Sequence, residues 1–582
     1  MKDYNAIWKG RVEAAVAQEA QARGVELVET PTVSLETPPD QAMGDLAVPF
    51  FPYAKLFRAN PAAVAQAVCE RLADQGDGTV EAAGPYLNIR LPRPSVAEQS
   101  IAAALEADER YGTNETLAGE AITIEFSSPN TNKPLHLGHL RNDALGESLS
   151  RILRACGADV RSVNLINDRG IHICKSMLAY QKFGNGETPE SSGKKGDHLV
   201  GDYYVRYNEW AGEDETAEEQ AREMLRAWEA GEPETVELWK KMNAWVFDGV
   251  KQTYEATGVH FDALYFESET YSSGKEEILR GVEEGVFYRE EDGSVWVDLE
   301  PIGLDKKILL RSDGTSVYVT QDIGTVLARY ADVPFDRMIY VVGSEQIYHF
   351  QVLFQVLKLL GYPWAAQLFH LSYGMVNLPE GKMKSREGTV VDADVLLAEL
   401  GELARQEIVE KERESEIDDV EATAAAIALG ALHYYLLQVS PSKDMVFNPR
   451  ESLAFTGNTG PYLQYVCARI NSILRKANES GRTASEGVDG AALASEAEWG
   501  LIRRIAAFPA VIKRAGADYS PSLIAGHLYE VAREFSSFYH DHPVLNAEHQ
   551  SERGARLALC RAVLVVLRNG MRLLNIPYLS KM

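Results

Sequence analysis

The stretch Glu125–Phe126–Ser127–Ser128–Pro129–Asn130–Thr131–Asn132–Lys133–Pro134–Leu135–His136–Leu137–Gly138–His139–Leu140–Arg141–Asn142 leaves a short β-prone run, Ala121–Phe126, and opens a helix spanning about 140–156. Further β-prone runs lie at Val160–Ile166 and Met338–Val342. A strand–loop–helix–strand order of this kind predicts an α/β fold, a Rossmann-like doubly wound parallel sheet. His136 and His139 flank a Leu-Gly pair where the helix begins. A helix N-terminus offers unpaired N–H groups and a positive dipole end to phosphate. Gly138 has no side chain, so a flat purine ring could approach its backbone. Two imidazoles can donate hydrogen bonds to phosphate oxygens as charge builds in a transition state. The alternatives are two histidines sharing a helix face for structural reasons, or a metal pair. No third His or Cys lies close in sequence, and H-E-x-x-H is absent.

Outward from this stretch, the chain of 582 residues is too long for one hydrophobic core, so two to four domains are expected. No apolar run long enough to span a bilayer is present, and the first residues lack the apolar region of a secretory signal. Cys69, Cys156, Cys174, Cys467 and Cys560 are scattered and odd in number, which argues against a disulfide framework or a cysteine zinc site and for a reduced, intracellular setting. The net charge of −27 weighs against a polyanionic partner. Much of the acid, however, is concentrated in Glu213–Glu219 and Glu410–Glu421, which read as solvated faces or connectors, and basic clusters such as Arg503, Arg504, Lys513 and Arg514 occur elsewhere.

Downstream, Gly381–Lys382–Met383–Lys384–Ser385–Arg386–Glu387–Gly388 forms a Lys-rich loop that could clamp the outer phosphates of a nucleotide, or be a basic surface hairpin. No G-x-x-x-x-G-K-[ST] occurs, which argues against a P-loop ATPase. Between the two loops, Tyr318 and Asp322 are four apart and would share one helix face. Residues 175–259 read as a mostly helical, acidic insertion, and helical periodicity dominates from about 422 to the end.

The segment S-S-P-N-x-x-K-P-L-H-x-G-H resembles the ATP-binding signature of class I aminoacyl-tRNA synthetases in the form seen in the arginyl-tRNA synthetase family. The resemblance implies an arginine–tRNA ligase that uses ATP, with Mg²⁺ expected on the phosphates, and takes L-arginine and tRNA(Arg) as partners. It implies catalytic roles for His136, His139, Lys133 and Lys382, and ATP contacts from Pro134, Leu135, His136, Gly138, His139, Lys382, Met383, Lys384 and Ser385. The second loop departs from the family's Lys-Met-Ser-Lys-Ser, since Ser385 stands at the second lysine position. Lys133, Lys382 and Lys384 all stay open as the phosphate-binding lysine. Ser128, Asn130, Glu267, Tyr318, Asp322 and Gln346 match arginine-binding positions, and His349 also fits the pattern. Asp168 stands at a strand end, beside Arg169 where many relatives have tryptophan. Rival readings are a synthetase for cysteine or glutamate and a non-catalytic tRNA-binding relative. The missing cysteine set argues against the cysteine enzyme, and the intact His136, Gly138, His139 and Lys382 argue against the non-catalytic relative.

The chain's end resembles the family's anticodon-binding bundle, which places Gln464, Tyr465, Arg469, Tyr539 and Met582 at tRNA; aromatic and Arg side chains suit stacking on unpaired bases. Its start resembles the family's domain for the tRNA elbow. The expected organisation is an N-terminal α+β domain (1–117), a catalytic domain (118–420) and a C-terminal α-helical bundle (421–582), in a cytoplasmic monomer with no membrane partner.

Overall fold

The computed structural model describes the chain except residues 1, 28, 30, 31, 74, 75, 378, 380–390, 411–416 and 483–486, and the side chains of 41 and 272. Its contacts group the chain into two compact units.

One unit comprises residues 1–111, 472–507 and 533–565. Helix Tyr4–Ala22 starts where the Asp3 side chain accepts from the Ala6 N–H, and helix Pro61–Leu72 starts behind Asn60 in the same way. Side-chain caps of this kind satisfy donors that have no partner within the helix. Trp8, Val12 and Val16 are buried. An antiparallel sheet runs Leu46–Pro49, Tyr86–Arg90, Thr79–Ala83 in spatial order. Asp45, at the start of this sheet, accepts from the Trp499 indole at 2.7 Å.

The other unit comprises residues 112–471, 508–532 and 566–582. Its centre is a five-stranded parallel sheet built from β1 (Ala121–Glu125), β2 (Asp159–Ile166), β3 (Ala263–Phe266), β4 (Arg337–Gly343) and β5 (Leu368–Tyr373), in the spatial order β3-β2-β1-β4-β5. This is the doubly wound arrangement that the sequence predicts, with β3 and β5 as strands its periodicity did not mark. Helix α1 (Leu137–Ala155) follows β1 and is buried along most of its length. It lies so close to the sheet that a Cβ on Gly146 would stand 2.1 Å from Phe126. Between β2 and β3 the predicted insertion is helical: α2 (Ile171–Phe183), α3 (Gly196–Glu213), α4 (Ala217–Glu229) and α5 (Pro233–Thr257). Helices α6 (Glu267–Glu283), α7 (Tyr318–Asp332) and α8 (Ile347–Leu359) cover the sheet around a core that includes Ile323, Met338, Tyr340 and Leu353. Helix Val420–Leu437 is long and apolar enough to cross a membrane by length and composition, but 56% of it is buried within the protein.

Candidate active site

Strand order reverses between β1 and β4, and in such sheets ligands bind at the carboxyl ends of the strands at that point. The chain leaves β1 through Ser127 and Ser128, both left-handed, at φ 73° and 49°. Such conformations are costly for L-residues and persist only where surrounding bonds hold them. Here the Ser127 N–H donates to Asn142 Oδ1 at 2.6 Å and the Ser128 N–H to Asn164 Oδ1 at 3.0 Å. Asn142 in turn donates to the Val341 carbonyl on β4 at 2.8 Å. These bonds tie both sides of the reversal together beneath a cleft of about 510 Å³. Ser128, His136, Gly138, His139, Gly343 and Gln346 are among the residues that line it.

His136 is the N-cap of α1. Its Nδ1 accepts from the Gly138 N–H at 3.1 Å, and its own N–H donates to His139 Nδ1 at 3.1 Å. An imidazole whose Nδ1 accepts carries its proton on Nε2 when neutral. Burial, and then the nearby Lys133 charge, push His136 down to about 4. Burial, His136 and Lys133 hold His139 well below its ordinary value as well. Both rings are therefore neutral Nε2–H donors at physiological pH. Gly138 has a further reason to be glycine, because a Cβ there would stand 3.0 Å from the His136 ring.

Asn132, Lys133, Pro134, Leu135 and His136 line a second cleft, of about 430 Å³, which faces His198 and Tyr204 of α3. Burial lowers the affinity of Lys133 for its proton. Lys382, Met383, Lys384 and Ser385 lie outside the described residues. The residues just beyond them are fixed against the histidine loop: the Leu137 N–H donates to the Val391 carbonyl at 3.0 Å, and the Ala393 N–H to the Leu135 carbonyl at 3.0 Å.

A third cleft, of about 830 Å³, contains Asn130, Glu267, Tyr318 and Asp322. The expected arginine-binding residues thus divide: these four stand here, and Ser128 and Gln346 on the first cleft. Tyr318 begins α7 and is 77% exposed at the cleft. Asp322, one turn on, meets His349 Nε2 at 2.5 Å. Burial pushes the Glu267 carboxyl up to about 7. Asp168 serves to position a helix. Its carboxylate accepts from the Ser268 N–H at 2.9 Å and the Ser268 hydroxyl at 2.7 Å, which caps the first turn of α6. Beneath the cleft, the buried Arg329 pairs with Glu125 at the end of β1, and burial raises the Glu125 carboxyl. Sequence reasoning passed over this pair. Its one signal was the position of Arg329, seven residues after Asp322 and on the same face of α7.

Among the described residues, Asp197, His198 and Asp394 are near enough to share a cation. The Lys195 ammonium already stands between the carboxylates, 3.2 Å from Asp197 and 2.5 Å from Asp394. A metal ion does not fit that set.

The expected tRNA residues are placed differently from one another. Tyr465 and Arg469 are partly exposed one turn apart on helix Gly460–Glu479, with the guanidinium over the ring at 4.6 Å. Tyr539 belongs to the other unit, is 39% exposed and stacks on Phe535. Met582 is buried. Gln464, expected at tRNA, is fully buried, and its amide donates to the carbonyls of Ala426 and Pro577, both at 2.9 Å. It packs on the inward face of its helix, where backbone carbonyls take its amide N–H groups while its Oε1 is buried without a partner.

Residues 100–449 match the family described as tRNA synthetases class I (R), catalytic domain; residues 463–582 match the DALR anticodon binding domain, and residues 10–91 the arginyl tRNA synthetase N terminal domain. The chain is 57% identical to the arginine–tRNA ligase of Treponema denticola, over 94% of this chain and 95% of that one. It is 48% identical to the arginine–tRNA ligase of Bacteroides thetaiotaomicron, over 94% and 96%. The Thermus thermophilus arginyl-tRNA synthetase structure superimposes with a TM-score of 0.82 at 27% identity, over 99% of this chain and 100% of that one.

Proposed function

Because the chain belongs to the arginyl-tRNA synthetase family of class I enzymes, we propose that it joins L-arginine to tRNA(Arg) at the two clefts on either side of Asn130 and Ser128. ATP lies at the strand reversal, with its base against Gly138 and its phosphates toward His136 and His139. The arginine guanidinium enters the larger cleft toward Asp322, Glu267 and Tyr318, and Asn130, Ser128 and Gln346 hold the α-amino end. The substrate carboxylate then attacks the α-phosphorus in line, and pyrophosphate leaves. No protein nucleophile is needed; positioning and preorganised donors carry the rate. His136 and His139 supply Nε2–H donors to the charge that builds on the phosphates, and Lys133 and the lysines of the second loop, Lys382 and Lys384, supply cations. Mg²⁺, where it accompanies the nucleotide, would neutralise phosphate charge; no described carboxylate cluster is assigned to it. A ribose hydroxyl of the tRNA's terminal adenosine, the 2′-OH by class I analogy, then takes the arginyl group.

The further assignments follow the same reading. Residues 1–117 grip the tRNA elbow, 118–420 carry the chemistry, and 421–582 read the anticodon, with Tyr465, Arg469 and Tyr539 as contacts. The enzyme works as a cytoplasmic monomer. The observation that carries the reading is that a cleft bearing Asp322 and Glu267 and one bearing His136 and His139 both adjoin the cleft at Asn132–Leu135, the first sharing Asn130 with it and the second His136. The test is ATP–pyrophosphate exchange against a panel of amino acids, with and without tRNA(Arg). Exchange with arginine alone supports the reading, and dependence on tRNA would add that activation follows tRNA binding. Exchange with another amino acid, or none when tRNA is supplied, overturns it.

A further inference from the structure

We propose that Arg169 is a positioning residue for arginine recognition: it holds Glu267 in place as the carboxylate that meets the substrate's guanidinium, and helix α4 of the insertion holds Arg169. The proposal rests on the placement of arginine in the larger cleft given above, and it gives the insertion a role in the amino-acid site.

Arg169 is only 9% exposed at its side chain and lies among Trp228, Glu229, Glu267 and Tyr271. Its guanidinium sits 4.0 Å from the Tyr271 ring and 5.5 Å from the Trp228 ring. One terminal nitrogen meets Glu229 at 3.0 Å, and the other stands 3.9 Å from Glu267. Trp228 and Glu229 end α4, whereas Glu267 and Tyr271 lie on the first turns of α6. Arg169 therefore bridges the insertion and the cleft wall. Trp228 is backed by Trp239, whose indole donates to the Asp168 carbonyl at 2.6 Å, so the loop that carries Arg169 is fixed from α5 as well. The contact with half-exposed Glu229 contributes little by charge alone. The sheltered stacking on Tyr271 is the stronger hold.

The separation from Glu267 fits a positioning role. A bidentate clamp would consume both carboxylate oxygens; a guanidinium at 3.9 Å orients one and leaves the carboxylate able to take a second cation. An arginine-binding carboxylate must also be ionised before substrate arrives. Burial works against that at Glu267, and so do Asp168 and Asp322, whereas Arg169 works for it. The other charged or titratable groups lining the cleft are His172 on α2, Glu229 on α4, Lys275 on α6, Arg311 and Asp313 in the loop before α7, and Tyr318 on α7. Without Arg169, Glu267 would hold its proton to higher pH, and arginine binding would weaken most on the acid side.

The experiment is the arginine KM in ATP–pyrophosphate exchange with tRNA present, at pH 6.5 and 8.5, for the wild type, Arg169→Gln, Arg169→Lys and Glu229→Gln, with Glu267→Gln and Asp322→Asn as references. Arg169→Gln should raise the arginine KM about tenfold at pH 6.5, as loss of one pKa unit of ionisation would, and clearly less at pH 8.5. The ATP KM should not move, and Arg169→Lys should recover most of the effect. Glu229→Gln, at the solvent edge, should move KM in the same direction by less, and it keeps the test open if Arg169→Gln does not fold. An equal rise at both pH values, a parallel rise in ATP KM, or no change overturns the proposal. If Glu267→Gln and Asp322→Asn also leave the arginine KM unchanged, the placement of arginine itself has failed; if they raise it and Arg169→Gln does not, only the role of Arg169 has.

Discussion

His136 serves two physical purposes that a single substitution can separate. As N-cap it satisfies the Gly138 N–H, and as a neutral ring it presents Nε2–H to the nucleotide cleft. Asparagine is among the best N-caps and can accept from the same N–H, but its amide does not reach where Nε2 stands. His136→Asn should therefore leave the thermal midpoint within a few degrees of wild type and lower kcat for exchange by about 100-fold or more, the usual cost of one transition-state donor. A kcat within threefold of wild type would remove His136 from the chemistry. This residue was readable in the sequence because its partners lie within three positions of it, in one loop. Gln464 and Arg329 were not. The acceptors of Gln464, at Ala426 and Pro577, and the partner of Arg329, Glu125, are brought in only by tertiary structure. In sequence, a glutamine beside Tyr465 and Arg469 reads like a third tRNA contact.

The same limit applies to elements. β1, β2 and β4, and the helices after β1 and β2, were legible because each carries its own periodicity and turn residues. β3 is only four residues long and partly exposed, and β5 mixes exposed and buried positions; what makes them strands is the neighbour each pairs with. The tie between α3 and helix Ala393–Glu410 is likewise invisible in sequence. Asp394 accepts from His198 at 2.9 Å and Thr253 at 2.9 Å and pairs with Lys195 at 2.5 Å, and Asp392 stands 3.6 Å from His198. The hydrogen bond to Asp394 raises His198 above its ordinary 6.5, so the His198 contribution is complete below pH 6.5 and fades as pH rises through the folded value. Burial opposes ionisation of Asp394, but bonds from His198 and Lys195 outweigh it and bring its carboxyl from 3.8 to about 2, so its contribution stands above pH 3.8 and fades toward pH 2. Both act in full between about 3.8 and 6.5. Asp394→Asn should make amide exchange in the first turns of α3 and of helix Ala393–Glu410 about tenfold faster than wild type at pH 5.5, consistent with roughly 1–2 kcal/mol for charged hydrogen bonds. At pH 8.5 the ratio should narrow, with Lys195 left as the cation. An equal ratio at the two pH values would take His198 out of the tie.

At the scale of the whole molecule, helical periodicity in the last third was readable, yet it could not say that residues 472–507 and 533–565 group with residues 1–111; periodicity gives a helix its apolar face and not the partner of that face. Charge poses a different question. The chain carries −27 and its partner is a polyanion, so the long-range field repels what local contacts must hold. Salt separates the two. The Debye length is about 10 Å at 0.1 M and about 30 Å at 0.01 M. Near 0.1 M and above, the net charge is screened beyond the nearest groups, and Lys and Arg contacts to phosphate should give the ordinary fall of affinity with rising salt. As salt is lowered, those contacts strengthen while the field of the whole acidic surface reaches the tRNA. The two trends oppose each other, and for this chain the second should catch up. Equilibrium binding of tRNA(Arg), with Mg²⁺ held constant, should therefore give a plot of log affinity against log salt that descends normally from about 0.1 to 0.3 M and flattens or turns over toward 0.01 M. A straight line down to 0.01 M would mean that the acidic surface, for all its size, lies where the tRNA does not feel it.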